Sequence, residues 1–186
     1  MYIDTIYVDL PLELKAIHKD AVVPTKGSKD AACHDLSSVE AKTIGPHSTA
    51  VVKTGLKVEY IDSAFKLHIY SRSGLAAKKG VFVLNAPGVI DSDYRGELMV
   101  ILHNSSDIPF EISVGDRIAQ IAAEVAVQSV YRVQAFESNE YLCSSNEERI
   151  RGEGGLGSTG VSLEPLTADI QIVTAEGTIT PSQTTI

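Results

Sequence analysis

Short runs of β-branched and aliphatic residues, separated by Gly, Pro and polar clusters, recur along the whole chain. They predict strands at Tyr2–Leu10, Ala50–Val52, Gly55–Tyr60, Phe65–Tyr70, Val81–Leu84, Leu98–Leu102, Phe110–Val114, Arg117–Val127 and Val130–Val133. One short helix is expected at Gly74–Lys79 (GLAAKK). Many short strands and almost no helix predict an all-β barrel or sandwich. Between VFVL at residue 81 and LMVIL at residue 98 lies NAPGVIDSDYRGE, which reads as the turn of a β-hairpin. Pro87 and Gly88 offer fixed and permissive torsions just before Asp91, so that its carboxylate is aimed rather than free to wander. Such a turn either holds a small molecule or is a soluble hairpin tip made of ordinary turn formers.

Beyond Asn139–Ile150, which is polar and loosely patterned, comes RGEGGLGSTG (151–160), half of it glycine, which reads as a flexible arm. Residues 161–186 hold six threonines and no Lys, Arg or His. Within them Asp169–Thr174 and Gly177–Thr180 either pair as a small hairpin about Ala175-Glu176 or stay disordered. The expected division is therefore one domain, 1–160, and an extension, 161–186.

At 186 residues and 44% apolar content the chain is long enough to bury a full core. Its formal charge of -8 argues against a general nucleic-acid binder, which would need many cations against phosphate. An anionic ligand must then meet a local positive cluster or a metal ion. The first residues have neither the basic-then-apolar order of a secretory signal nor a run of membrane-spanning length, so a cytoplasmic protein is expected. Cys33 and Cys143 are far apart and outside any zinc or redox pattern, and the five histidines show no ligand spacing.

Four further stretches carry candidate chemistry. SRSGLA (71–76) sets Arg72 and Ser73 after a strand and at a helix start, a place suited to an anion, although Ser73 could equally cap the helix. GDRIAQ (115–120) puts Gln120 among apolar neighbours. AACHDLSS (31–38) places Asp35 at the end of a polar loop. RGEGGLGSTG contains a formal GxGxxG, but no strand precedes it, no helix follows, and no GK[ST] closes it, so neither nucleotide fold is indicated. Its backbone amides, Arg151, Ser158 and Thr159 can still donate to phosphate oxygens.

Taken in order, AACHDL, SRSGLA, GVIDSDYRGE, GDRIAQ and RGEGGLGSTG resemble the five motifs of the trimeric dUTPase family, across about residues 1–160. The resemblance implies a jelly-roll-like β fold with one short helix, a homotrimer with sites shared between subunits, and Mg²⁺-assisted hydrolysis of dUTP to dUMP and pyrophosphate. By the same resemblance Asp91 activates the attacking water. Asn85 reads uracil, and Tyr94 lies against the deoxyribose and excludes a 2′-hydroxyl. Arg72, Ser73, Gly74 and Gln120 face phosphates, while Asp35 serves the metal indirectly, through water. Arg151, Leu156, Gly157, Ser158 and Thr159 close over the triphosphate. Arg117 is taken as structural.

The chain departs from the family pattern at three places. Leu156 stands where the family has a stacking Phe, which is expected to weaken arm closure and lower the rate. His34 stands where motif one has an aromatic residue. The extension 161–186 is unusual, and a protein partner for it is one expectation. A regulatory protein of the same fold, and a dCTP deaminase, are the alternative functions. Cytoplasm, or the host cytoplasm for a viral protein, is the implied location.

Overall fold

The computed structural model describes residues 12–127, 129, 132–134, 141–143, 152–154, 170–173 and 179–182. The expected strand Tyr2–Leu10 lies outside them, as do Arg151, Leu156, Gly157, Ser158 and Thr159. The chain divides into two compact units, Met1–Ala126 with Arg151–Gly154, and Val127–Ile150 with Gly155–Ile186.

In chain order the first unit contains β1 (Leu12–Ala16), β2 (Thr25–Lys26), β3 (His34–Ser37), β4 (Lys42–Ile44), β5 (Ser48–Ile61), β6 (Phe65–Tyr70), α1 (Ser73–Lys79), β7 (Val81–Val83), β8 (Gly88–Ile90), β9 (Glu97–Asn104), β10 (Phe110–Ile112) and β11 (Arg117–Val125). They form sheets of order β1-β5-β9-β7 and β2-β3-β11-β6-β8, with β10 paired to β4. Among the described residues the all-β expectation with a single short helix holds. One core joins both large sheets: Val52, Val58, Leu98, Val100 and Leu102 from the first meet Leu36, Leu67, Ile69, Ile118 and Ile121 from the second. Strict alternation along β9 puts Leu98, Val100, Leu102 and Asn104 inward. Asn104 is fully buried, and its amide donates to the carbonyls of Ile44, Gly45 and Ile108 at 2.8–3.1 Å, so the polar group is satisfied.

Three local expectations need correction. Ala50–Val52 and Gly55–Tyr60 are one strand, β5, because Thr54 and Gly55 form a bulge instead of a break. Gly55 has φ +65°, and a Cβ there would lie 2.7 Å from His18 Cβ and 2.9 Å from Val39 Cγ1, so both torsion and space demand glycine. Asp35 lies inside strand β3, not at the end of a loop, since the short segment gains partners on both sides from β2 and β11. The turn between β7 and β9 is not a simple turn either. Val83 pairs with Leu102 as a hairpin would have it, yet Gly88–Ile90 breaks away as β8 and pairs with β6 of the other sheet.

An apolar cleft of about 520 Å³ is lined by β1, by Leu56, Leu67, Ile121 and Ala123, and by His34. No arginine, lysine or carboxylate lines it among the described residues; β1 contributes Leu12, Leu14 and Ala16. Among the described residues no helix is long and apolar enough to cross a membrane, which says nothing of a β-barrel.

The second unit contains β12 (Arg132–Gln134), β13 (Tyr141–Cys143), β14 (Ile170–Val173) and β15 (Ile179–Ser182), in a sheet of that order. The hairpin alternative for the extension is the one adopted, with Val173 opposite Ile179. Asn139–Ile150, read as loosely patterned, contributes β13; a three-residue strand is too short to register as periodicity.

Candidate active site

The second sheet carries the first group of site residues. Gln120 on β11 lies opposite Asp35 on β3 and Tyr70 on β6, so these side chains share one face. Arg117 and Gln120 are three residues apart, which in a regular strand would put them on opposite faces. A register shift between Arg117 and Ala119 inserts the extra residue that brings them to the same face, and Ile118 and Ala119 are consequently both buried.

On that face Asp35, only 15% exposed, is gripped by two arginines. Arg72 Nε meets its Oδ1 at 3.2 Å and Arg117 Nη1 donates to its Oδ2 at 3.0 Å. Arg72 Nη1 also donates to the Arg117 carbonyl at 2.7 Å, and Gln120 Nε2 donates to the Ser71 carbonyl at 3.0 Å. The sequence left Arg117 without a role at the site. The signal for it was present: two adjacent apolar residues between two polar ones break the period of two. Arg72 is the N-cap of α1 and Ser73 its first residue; no side chain caps the helix, so Ser73 is not the cap. Ser73 and Gly74 are exposed, and α1 buries no residue.

Further along the same face, His68 Nδ1 lies 3.0 Å from both the Tyr70 hydroxyl and Glu124 Oε2, and the Tyr70 hydroxyl donates to Glu124. The bonds from Tyr70 and then His68 hold the Glu124 carboxyl below its ordinary value, and the bond to Glu124 raises the Tyr70 phenol. A carboxyl whose pKa is depressed by folding adds stability above its unfolded value near 4.5, and that stability is lost as pH falls through the folded value. Glu124→Gln should therefore melt below the parent at neutral pH, with the gap closing as the medium is acidified below that value. A gap independent of pH in thermal unfolding would disprove the linkage.

The second group sits on the crossing between sheets. Asn85 is exposed where the chain leaves β7. Gly88 does not need its freedom of torsion as the sequence suggested. A Cβ there would come within 3.3 Å of Asn85 Nδ2, the end of an exposed side chain, and within ordinary contact of Ile69 Cβ at 3.5 Å. Asp91 follows β8, and the Tyr94 amide donates to its carbonyl at 3.1 Å. Arg95 Nη1 ties the return turn by donating to the carbonyls of Ser92 (2.7 Å) and Tyr94 (2.8 Å). Tyr94 belongs to the core, 6% exposed, with its hydroxyl donating to the Glu97 carbonyl at 2.8 Å. Its ring lies across Gly96, where a Cβ would overlap the phenol. Gly96→Ala should push the ring out of place, costing about 1–3 kcal/mol of stability. Thermal unfolding tests this; an unchanged midpoint would refute it.

The root of the glycine-rich arm is fastened to this hairpin. Gly152 bridges Tyr94, its carbonyl accepts the Arg95 amide at 2.7 Å, and Glu153 meets Lys57 Nζ at 2.5 Å.

The two groups stand at opposite ends of the β6–β8 pair. Gly88 faces Ile69 and Ile90 faces Leu67, so Asp91 continues past the Leu67 end while Arg72 continues past the Tyr70 end. At about 3.3 Å per residue, the stretch from Leu67 to Arg72 spans on the order of 15 Å.

Among the described residues no three His, Cys, Asp or Glu cluster as a metal cage. Mg²⁺ commonly keeps several waters and binds through one or two carboxylates plus substrate phosphates. Asp35 fits such an indirect part, because a carboxylate has about four lone-pair sites and the two arginines occupy two of them.

Two guanidiniums on one carboxylate leave a local positive charge on this face, which suits an anionic ligand. The family model for dUTPase matches residues 19–160. The deoxyuridine 5'-triphosphate nucleotidohydrolase of Helicobacter pylori strain P12 is 42% identical over 153 residues, 82% of this chain and 99% of the relative. The dUTPase of phage phi11 of Staphylococcus aureus, solved with the coordination of a structural Mg(II) ion, shares the fold at a TM-score of 0.60 and 24% identity, covering 68% of this chain and 99% of that one. The Staphylococcus bacteriophage 80alpha dUTPase with dUpNHpp gives 0.60 and 28%, covering 81% and 98%. The chain belongs to the dUTPase family.

Proposed function

We propose that this protein hydrolyses dUTP to dUMP and pyrophosphate, with water attacking the α-phosphorus, and so lowers dUTP while supplying dUMP for dTMP synthesis. The observation that carries the reading is the hairpin: Asn85 and Asp91 flank β8, and Tyr94 is locked over Gly96 behind them. Asp91 orients and deprotonates the water. Asn85 recognises the uracil edge, and the fixed Tyr94 leaves no room for a 2′-hydroxyl. Arg72, Ser73, Gly74 and Gln120 receive phosphates, and Arg151, Leu156, Gly157, Ser158 and Thr159 close over them. Mg²⁺, when bound with the triphosphate, withdraws negative charge that would repel the nucleophile. Asp35 would hold it through water.

The sites belong to a homotrimer, each one shared between chains. The resemblance to the trimeric family carries this, and Asp91 and Arg72, which leave opposite ends of the β6–β8 pair, are in keeping with it. The family match ending at residue 160 supports an enzyme domain of 1–160 with 161–186 as an extension. A cytoplasmic location, or a host's cytoplasm for a viral source, goes with the nucleotide pool it acts on.

Pyrophosphate release from dUTP, UTP, dCTP and dTTP, with and without Mg²⁺, tests the reading. Release confined to dUTP and dependent on the metal is expected. Ammonia release from dCTP, or no cleavage of dUTP, would overturn it.

A further inference from the structure

We propose that Arg117 is a positioning residue of the phosphate site: by gripping Asp35 it fixes the carboxylate that in turn orients the guanidinium of Arg72. The proposal rests on the reading of Arg72 as a phosphate ligand.

The geometry is a chain of contacts in one direction. Arg117 Nη1 holds one oxygen of Asp35, the other oxygen holds Arg72 Nε, and Arg72 Nη1 is held in turn by the Arg117 carbonyl. Arg72 is thus tied at two of its nitrogens, to the side-chain partner of Arg117 and to its backbone. A guanidinium has five N–H donors in a planar fork, so fixing two leaves the rest of the fork set in direction and open to an anion. Without that restraint, a long side chain must be ordered when the phosphate binds, at an entropic cost.

Charge is what the test must separate from restraint. Two guanidiniums share one carboxylate, which leaves one positive charge in excess beside Gln120. Loss of that charge would act with or without Arg72, whereas a lost restraint acts only while Arg72 is present. Burial differs along the chain of contacts as well: Asp35 is 15% exposed, Arg72 26% and Arg117 57%. The carboxylate is the enclosed hinge, and Arg117 closes it from the solvent side.

The β-bulge supplies the means. In a regular β11, Gln120 facing Asp35 would turn Arg117 to the core side; the shift between Arg117 and Ala119 returns it to the site. The same irregularity thus delivers both a phosphate-facing amide and the group that steadies the neighbouring arginine.

The test is a double-mutant cycle on the full chain with Arg117→Gln, Arg72→Gln and both, read as KM, kcat and the affinity for dUpNHpp. Arg117→Gln should raise KM and weaken dUpNHpp by about ten-fold, with kcat changed far less, and Arg117→Lys should recover part of the loss. In the Arg72→Gln background, Arg117→Gln should add less than about two-fold, because the group it steadies is gone. Effects that multiply in the cycle would mean that Arg117 acts on the ligand directly. An unchanged KM and affinity would mean that it does not act at the site, and either result overturns the proposal. Oligomeric state and thermal midpoint, followed in parallel, separate a folding defect from a lost restraint. A parent protein that neither cleaves dUTP nor binds dUpNHpp would instead refute the phosphate-site reading.

Discussion

Asp91→Asn is expected to lower pyrophosphate release from dUTP by roughly a hundred- to ten-thousand-fold, the range associated with losing a general base. The exchange keeps the size and shape of the side chain but removes the charge that accepts the proton. The turn is tied through the Asp91 carbonyl, the Arg95 guanidinium and the Tyr94 hydroxyl, none of which the exchange alters. Binding of dUpNHpp should therefore survive within a few-fold. Single-turnover rates with bound substrate isolate the chemical step. If the variant turned over within about ten-fold of the parent, Asp91 would not be the base.

The second large effect concerns shared sites. Asp91→Asn and Arg72→Gln should each be nearly inactive alone, yet mixing them, with unfolding and refolding to exchange subunits, should restore activity. A site that takes Asp91 from one chain and Arg72 from another is intact when the first chain carries one variant and the second the other. Random assembly at equal amounts makes about a quarter of sites complete. If both residues came from the same chain, no mixture could complete a site, and activity would stay at the level of the single variants. The expectation comes from the family's shared sites, and the strand register is in keeping with it. β6 and β8 are paired so that Asp91 and Arg72 leave in opposite directions, separated by on the order of 15 Å of strand. Size measurements on each mixture establish that exchange took place.

Much of the site was legible because its parts are short and contiguous. NAPGVIDSDYRGE between two aliphatic runs marked a hairpin carrying a carboxylate, and the flanking strands pair as that reading required. SRSGLA marked the start of a short helix, and Ser73 begins it. Other features could not be read locally. Gly88 looked like a residue chosen for torsional freedom, but its φ is not positive and it is an ordinary strand residue of β8. Nothing in the polar turn signalled that the ring of Tyr94 completes the core.

What the sequence by itself determined is the β-rich class, the place of the single helix, and the order of the polar segments that carry chemistry. Each of these depends on propensity and periodicity within a few residues, which a linear pattern records. Only the tertiary structure decided that Gly88–Ile90 would change sheets, that a bulge would turn Arg117 toward Asp35, and that Arg72 would be held between them. Those outcomes come from pairings between residues far apart in the chain, such as Asp35 with Arg117, where the free energy lies in register and in burial of a shared charge; the broken period at Ile118 and Ala119 marks a bulge but not the strand or the carboxylate it will meet.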